Sequence, residues 1–209
     1  MPEPFSARGE ENRDRILQAA YTLFIQKGFA ATSVREIARG AGLTVGGVYA
    51  HFTGKEMIWE EVFDRYHPYH EILPLLLEAE GDTCAEVFRN AAERIVGELE
   101  KREDLFNLMF IELVEFNGKH LEQVALKALP MLTQIGMKFG RCHGRYREIA
   151  PLNLARAFAG LFFSLVVTDR FFPSFVRGQI NREKAREEFV NIFLFGILAD
   201  DDPSRRVHG

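Results

Sequence analysis

From about Glu10 to residue 199 the apolar residues return every three or four positions, and no stretch alternates long enough to make a strand. A chain patterned this way can hide its hydrophobic surface only by packing helices on one another, so the expected fold is all-α. A first helix over 10–27 buries Ile16, Leu17, Ala20 and Phe24, and Gly28 offers a left-handed stop against which Phe29 can fold back. Ser33 and Glu36 have capping-box spacing for a second helix, with Val34, Ile37, Ala38 and Ala41 facing inward. The glycines at 40 and 42 end it, and Thr44 caps a short third helix through His51. Thr53 and Glu56 suggest another capping box, opening a long fourth helix over 55–80 with kinks at Pro68 and Pro74. Asp82 is the expected cap of the next helix, and further helices are expected over 103–117, 119–144, 151–171 and 181–199, before a frayed tail.

Composition narrows the class. At 209 residues, 47% hydrophobic and 27% charged, the chain has enough apolar material for one or two globular domains. Its longest apolar run, Ala157 to Thr168, falls short of the roughly 20 residues that cross a bilayer. The first residues lack the basic-then-apolar pattern of a secretory signal, so a cytoplasmic protein without a membrane partner is expected. Cys84 and Cys142 fit neither a metal-ligand spacing nor a disulfide framework, and are expected as separate reduced thiols. The net charge is −4, yet residues 1–55 carry seven Lys or Arg against five Asp or Glu. That asymmetry either marks two functional parts or is ordinary variation along a chain.

The adjacent glycines Gly46 and Gly47 sit inside the third helix, where each costs about 1 kcal/mol relative to alanine. Two helices joined by a tight glycine-containing turn, the second of them short, are the layout of a helix-turn-helix. A recognition helix has to enter a major groove about 12 Å wide, and small residues let its backbone come close to the duplex. Val48 and Phe52 are expected inward, leaving Val45, Gly46, Gly47, Tyr49 and Ala50 facing out.

Residues 31–58, ATSVREIARGAGLTVGGVYAHFTGKEMI, resemble the DNA-binding segment of the TetR family of bacterial transcriptional regulators. The resemblance rests on Val48, Tyr49, His51 and Phe52, on the Lys55-Glu56 pair, and on Phe24, Gly28 and Phe29; in detail it covers about residues 10–60. It implies a helix-turn-helix domain over 1–54 and a helical effector-binding and dimerisation domain over 55–202. By position it implies phosphate contacts from Tyr49 and Lys55. Ser33 and Thr44 either add phosphate contacts or serve only as caps; Arg35 either reads a guanine or is an ordinary surface arginine. His51 is expected to be structural, with a phosphate contact as the alternative. Val45 departs from the polar or basic residue common in the family, and can touch a thymine methyl without hydrogen-bonding a base. DNA shape would then share the reading of sequence.

The resemblance further implies a homodimer built by the last two helices, a palindromic double-stranded operator, and repression relieved by a small effector. Ala155, Ala159, Gly160 and Ser164, with Phe189, Ile192, Phe193, Gly196 and Ile197, would make the mating surface, or else a purely monomeric core. Fifteen of nineteen phenylalanines follow residue 55. Phe106, Met109, Phe110, Phe116, Met137, Phe139 and Phe162 are candidates to line a pocket for an apolar or aromatic effector, against the plainer alternative of core packing. Effector binding would shift the population of body arrangements, tilting the fourth helix. No cofactor, metal or enzymatic activity is expected. The competing reading is a helical-bundle metal protein or enzyme using His67, His70 and Glu71, whose spacing would place them on one helix face.

Overall fold

Helical periodicity in the sequence becomes helices in space throughout the computed structural model, which describes residues 7–99, 101–102, 104–143 and 147–197. The first four helices are α1 (Ala7–Lys27), α2 (Val34–Ala41), α3 (Val45–Tyr49) and α4 (Lys55–Tyr66). Then follow α5 (Tyr69–Glu78), α6 (Cys84–Leu99), α7 (Leu105–Glu115) and α8 (Leu121–Phe139). The last are α9 (Pro151–Phe171), α10 (Ser174–Arg177) and α11 (Arg182–Ile197). Among the described residues there is no strand, only an isolated bridge between Thr83 and His143. No helix among them is long and apolar enough to cross a membrane.

The chain forms two compact units, one of residues 1–68 and 104–128, the other of 69–103 and 129–209. The first is built on the expected stripe: Ile16, Leu17, Ala20 and Phe24 of α1 are buried with Ile37, Ala38 and Ala41 of α2, Val48 of α3 and Phe52. Trp59 of α4 sits at its centre, its ring parallel to that of Phe116 at 5.3 Å and edge-on to Phe24 at 5.4 Å. In the second unit α6 buries Ala85, Phe88, Ala92 and Ile95. Phe88 meets Phe139 of α8, Phe158 of α9 and Phe193 of α11 at centroid distances of 4.6, 5.8 and 5.5 Å. Compactness thus groups α4 and α7 with α1 to α3, across the division expected at 54/55.

Several local expectations are corrected. The helix expected over 55–80 is two helices, because proline at 68 removes a backbone donor and disfavours helical geometry at His67, which lies at φ −64, ψ 135. Pro74 is accommodated inside α5. No capping box opens α4: Gly54 holds the cap position without a side-chain bond, and the Thr53 hydroxyl instead lies 2.7 Å from the Met57 sulfur. Asp82 does not cap α6. Thr83 does, accepting the Glu86 N–H at 3.2 Å while the Glu86 carboxylate accepts the Asp82 and Thr83 N–H groups. The loop after α9 contains the extra turn α10. Cys84 and Cys142, expected as separate thiols, form a disulfide with Cα atoms 5.1 Å apart. Sequence spacing could not show this, since folding closes a separation of 58 positions. The expected tail lies outside the described residues, as do positions 198 and 199 of the last expected helix.

Candidate nucleic-acid interface

Helices α2 and α3 are short, and local bonds hold their starts. At α2 the Ser33 hydroxyl accepts the Glu36 N–H, and the Glu36 carboxylate accepts the Ser33 N–H at 2.9 Å and its hydroxyl at 2.7 Å. Hydrogen bonds from the Lys27 ammonium and then from Ser33 hold the Glu36 carboxyl well below its usual range, at about 2. Gly42, at φ 65, takes the left-handed position that ends α2. At α3 the Thr44 hydroxyl accepts the Gly47 N–H at 3.0 Å. Both hydroxyls are therefore caps. Both residues are also exposed, so their outer lone pairs remain accessible.

The two glycines differ in their surroundings. A Cβ at Gly46 would meet nothing nearer than the Thr44 hydroxyl at 4.0 Å, whereas one at Gly47 would crowd the same oxygen at 3.3 Å and Leu43 at 3.7 Å. No neighbour among the described residues requires a glycine at 46. Beside it stand Val45, 36% exposed, and Tyr49, 53% exposed; Arg35 of α2 is exposed as well. Val48 and Phe52 point into the core, as their spacing predicts.

Arg13 fixes this surface in place. Its guanidinium forks onto the Glu61 carboxylate, with Nε donating at 2.7 Å, and its Nη1 donates to the His51 carbonyl at 3.3 Å. It also lies over the Phe52 ring at 4.4 Å. One residue thus ties α1, α4 and the end of α3 together. His51 is half-buried.

Lys55 is half-buried, and its ammonium donates to the carbonyls of Phe29 and Thr32, both at 2.7 Å, with Ala30 at 3.4 Å and the Phe29 ring at 4.2 Å. Burial pushes its pKa down, and the Glu115 charge opposes that shift. In this state the lysine closes the α1–α2 turn. The turn is also held from below, since the Glu115 carboxylate accepts the N–H groups of Phe29 at 3.0 Å and Ala30 at 2.8 Å. One helical turn earlier, the fully buried Glu112 accepts the Trp59 indole N–H at 2.9 Å and the His120 backbone N–H at 2.8 Å, and its second contact to His120 is to Nδ1 at 2.9 Å. Sequence reasoning missed Arg13, Glu112 and Glu115. The available signal was a carboxylate on the buried stripe of α7, four residues after Leu108.

The candidate effector-binding residues fall into two sets. Phe106, Met109, Phe110 and Phe116 belong to the first unit, Met137 and Phe139 to the second. Phe106 is buried, Phe110 and Met137 are exposed, and Phe116 is occupied by Trp59, by Phe29 at 4.7 Å and by His120 at 5.1 Å. Phe139 packs on Phe88. The Phe162 side chain lies outside the described residues. The metal reading meets two corrections: the helix break separates His67 from His70, and the Glu71 carboxylate is engaged by Arg102. Among the described residues no group of three or more His, Cys, Asp or Glu could hold a metal ion.

Residues 16–62 match the family model for bacterial regulatory proteins of the tetR family. The likeness in fold runs much further. A crystal structure of a TetR family transcription regulator from Marinobacter aquaeolei is similar over 91% of this chain and 97% of its own, with TM-score 0.64 at 18% identity. A protein from Mesorhizobium loti assigned to the TetR-family transcriptional regulators covers 93% and 100%, at 26% identity and TM-score 0.65. Residues 16–62 thus carry the TetR-family sequence pattern, on a chain that shares the fold of TetR-family structures. Among its curated relatives in that family, the HTH-type transcriptional regulator SrpR of Pseudomonas putida is 41% identical over 69 residues, 32% of each chain. The HTH-type transcriptional repressor KstR2 of Mycolicibacterium smegmatis is 50% identical over 50 residues, 24% of each. The HTH-type transcriptional regulator AcrR of Shigella flexneri is 34% identical over 124 residues, 57% of each. These alignments span less than two thirds of each relative. NalD, the secondary repressor of the MexAB-OprM multidrug efflux pump in Pseudomonas aeruginosa, shares the fold at TM-score 0.60 and 23% identity.

Proposed function

We propose that this TetR-family chain is a homodimeric, sequence-specific DNA-binding regulator of the cytoplasm that represses transcription from a palindromic operator and is released by a small apolar or aromatic effector. The observation that carries the reading is Gly46: an exposed helical glycine with open space where its side chain would be, on a capped helix whose other face is buried. Nothing among the described residues accounts for that cost, and close approach to a duplex would. Ser33, Arg35, Thr44, Val45, Gly46, Gly47 and Tyr49 would dock on DNA, with Arg35 toward a base edge and Tyr49 toward phosphate. Lys55 would contribute through the turn it closes and the positive start of α4, and His51 by positioning.

For the partner chain, α9 exposes Leu152, Ala155, Ala159 and Phe163, and α11 exposes Ile192 and Phe195, with open space around Gly160 and Gly196. This is the small-and-apolar composition that a two-fold helical interface uses. Phe193 is already spent in the chain's own core. Repression is favoured because KstR2 and NalD are named as repressors. The effector would act by preferring body arrangements that cannot straddle both half-sites. Genome-wide capture of bound DNA, with and without candidate effectors, tests this: an inverted repeat lost on addition of an apolar compound supports it. Capture of no specific fragment would refute it.

A further inference from the structure

We propose that Cys84 and Cys142 are a redox-responsive pair, a dithiol in the reducing compartment where DNA is read and a disulfide under peroxide. The inference rests on the regulator reading only for that compartment, because such a compartment keeps structural disulfides rare. The chemistry of the pair stands on its own geometry.

Neither cysteine is an isolated thiol. Their Cα atoms are 5.1 Å apart, inside the range that a disulfide bridges. Non-covalent bonds also hold the two backbones together: the Cys84 N–H donates to the His143 carbonyl at 2.8 Å, within the Thr83–His143 bridge. That hydrogen bond keeps the Cys84 backbone beside residue 143 without help from the disulfide. The reduced form has a place for its proton too, since the Phe139 carbonyl oxygen is 3.1 Å from Cys142 Sγ. Exposure assigns the order of events. Cys142 is partly exposed, whereas Cys84, the first residue of α6, is 1% exposed.

Peroxide would meet Cys142 first: the thiol sulfur takes one peroxide oxygen as hydroxyl, the O–O bond breaks, and the other oxygen leaves as water with the thiol's proton, giving a sulfenic acid. The Cys84 sulfur then attacks the sulfenic sulfur. The S–S bond forms, the S–O bond breaks, and the hydroxyl leaves as a second water with the Cys84 proton. A dithiol reductant reverses the change, taking the two sulfurs back to thiols and becoming a disulfide itself. Closure has a structural consequence. Cys84 lies one helical turn before Phe88, and Cys142 three residues after Phe139, so the bond fixes the Phe88–Phe139 pair at the end of the second unit's aromatic core.

The full chain, purified reduced and freed of reductant, is treated with one or two equivalents of hydrogen peroxide, alkylated and weighed intact. The expected result is loss of both alkylation sites within a monomeric polypeptide, with both restored by dithiothreitol without denaturant. Hydrogen exchange at residues 84–88 and 139–143 should slow at least fivefold on oxidation, and Cys142→Ser and Cys84→Ala should abolish the slowing. Cells quenched with acid and alkylated should yield the dithiol before peroxide and the disulfide after it. Two thiols still alkylatable after peroxide, a bond already closed in unstressed cells, or one that yields to reductant only on unfolding would overturn the proposal. Equal exchange in oxidised wild type and Cys142→Ser would do the same. None of these measurements needs DNA, so they can fail independently of the regulator reading.

Discussion

Lys55 shows how a residue can keep its importance while its partner changes. Sequence resemblance implies a phosphate contact, and in the structure the ammonium serves three carbonyls of the α1–α2 turn. Hydrogen bonds to a charged group contribute about 1.5–3 kcal/mol. Lys55→Ala should therefore lower the unfolding free energy of the first unit by an amount in that range, read as a lower urea midpoint, before any effect on DNA. An unchanged midpoint would return the lysine to a purely DNA-facing role. Glu36 sets a pH limit on the same region. Its folded pKa, about 2, lies below the ordinary 4.5, so its contribution is complete above about 4.5 and is lost as pH falls through 2. The stability difference between wild type and Glu36→Gln should shrink over that window; a constant difference would contradict the capping-box account. The Ser33–Glu36 box and the Val48 and Phe52 burials were legible in sequence because each depends on neighbours within four residues. Arg13 was not, because its partner Glu61 is 48 residues away.

At the scale of elements, α7 turns out to belong with the helix-turn-helix unit. Its Glu112 and Glu115 reach α4 and the α1–α2 turn, and Phe116 lies flat against Trp59. Helix existence and order were readable from periodicity, but the stop at Tyr66 was not, since a proline permits either a kink or an end. Nor could periodicity show which helix a buried carboxylate would serve. Removing the Glu112 carboxylate orphans two donors, the Trp59 indole N–H and the His120 N–H, at about 1–3 kcal/mol each. Trp59 is the single tryptophan of the chain, so its fluorescence follows this site alone. Glu112→Ala should red-shift that emission and lower the midpoint of the fluorescence-detected transition. Wild-type emission and midpoint in the variant would mean that the carboxylate does not hold α4.

For the whole molecule, the proposed function would need two copies, because one short helix contacts too few phosphates to select a site. The exposed apolar residues of α9 and α11 are the surface proposed for that pairing, and Ile192, 69% exposed, has little to lose within its own chain. Ile192→Asp should leave the folded monomer intact while sedimentation velocity shows dissociation; a dimer surviving the change would move the interface elsewhere. The central claim concerns what α3 presents to DNA, and the most direct measurement is a titration of a captured operator duplex by wild type and Gly46→Leu. Leucine at 46 meets open space and raises helix propensity by about 1 kcal/mol, so the variant should be at least as stable as wild type. The account predicts two wild-type chains per duplex and at least tenfold weaker binding by Gly46→Leu. Equally tight binding by a folded Gly46→Leu variant would contradict it.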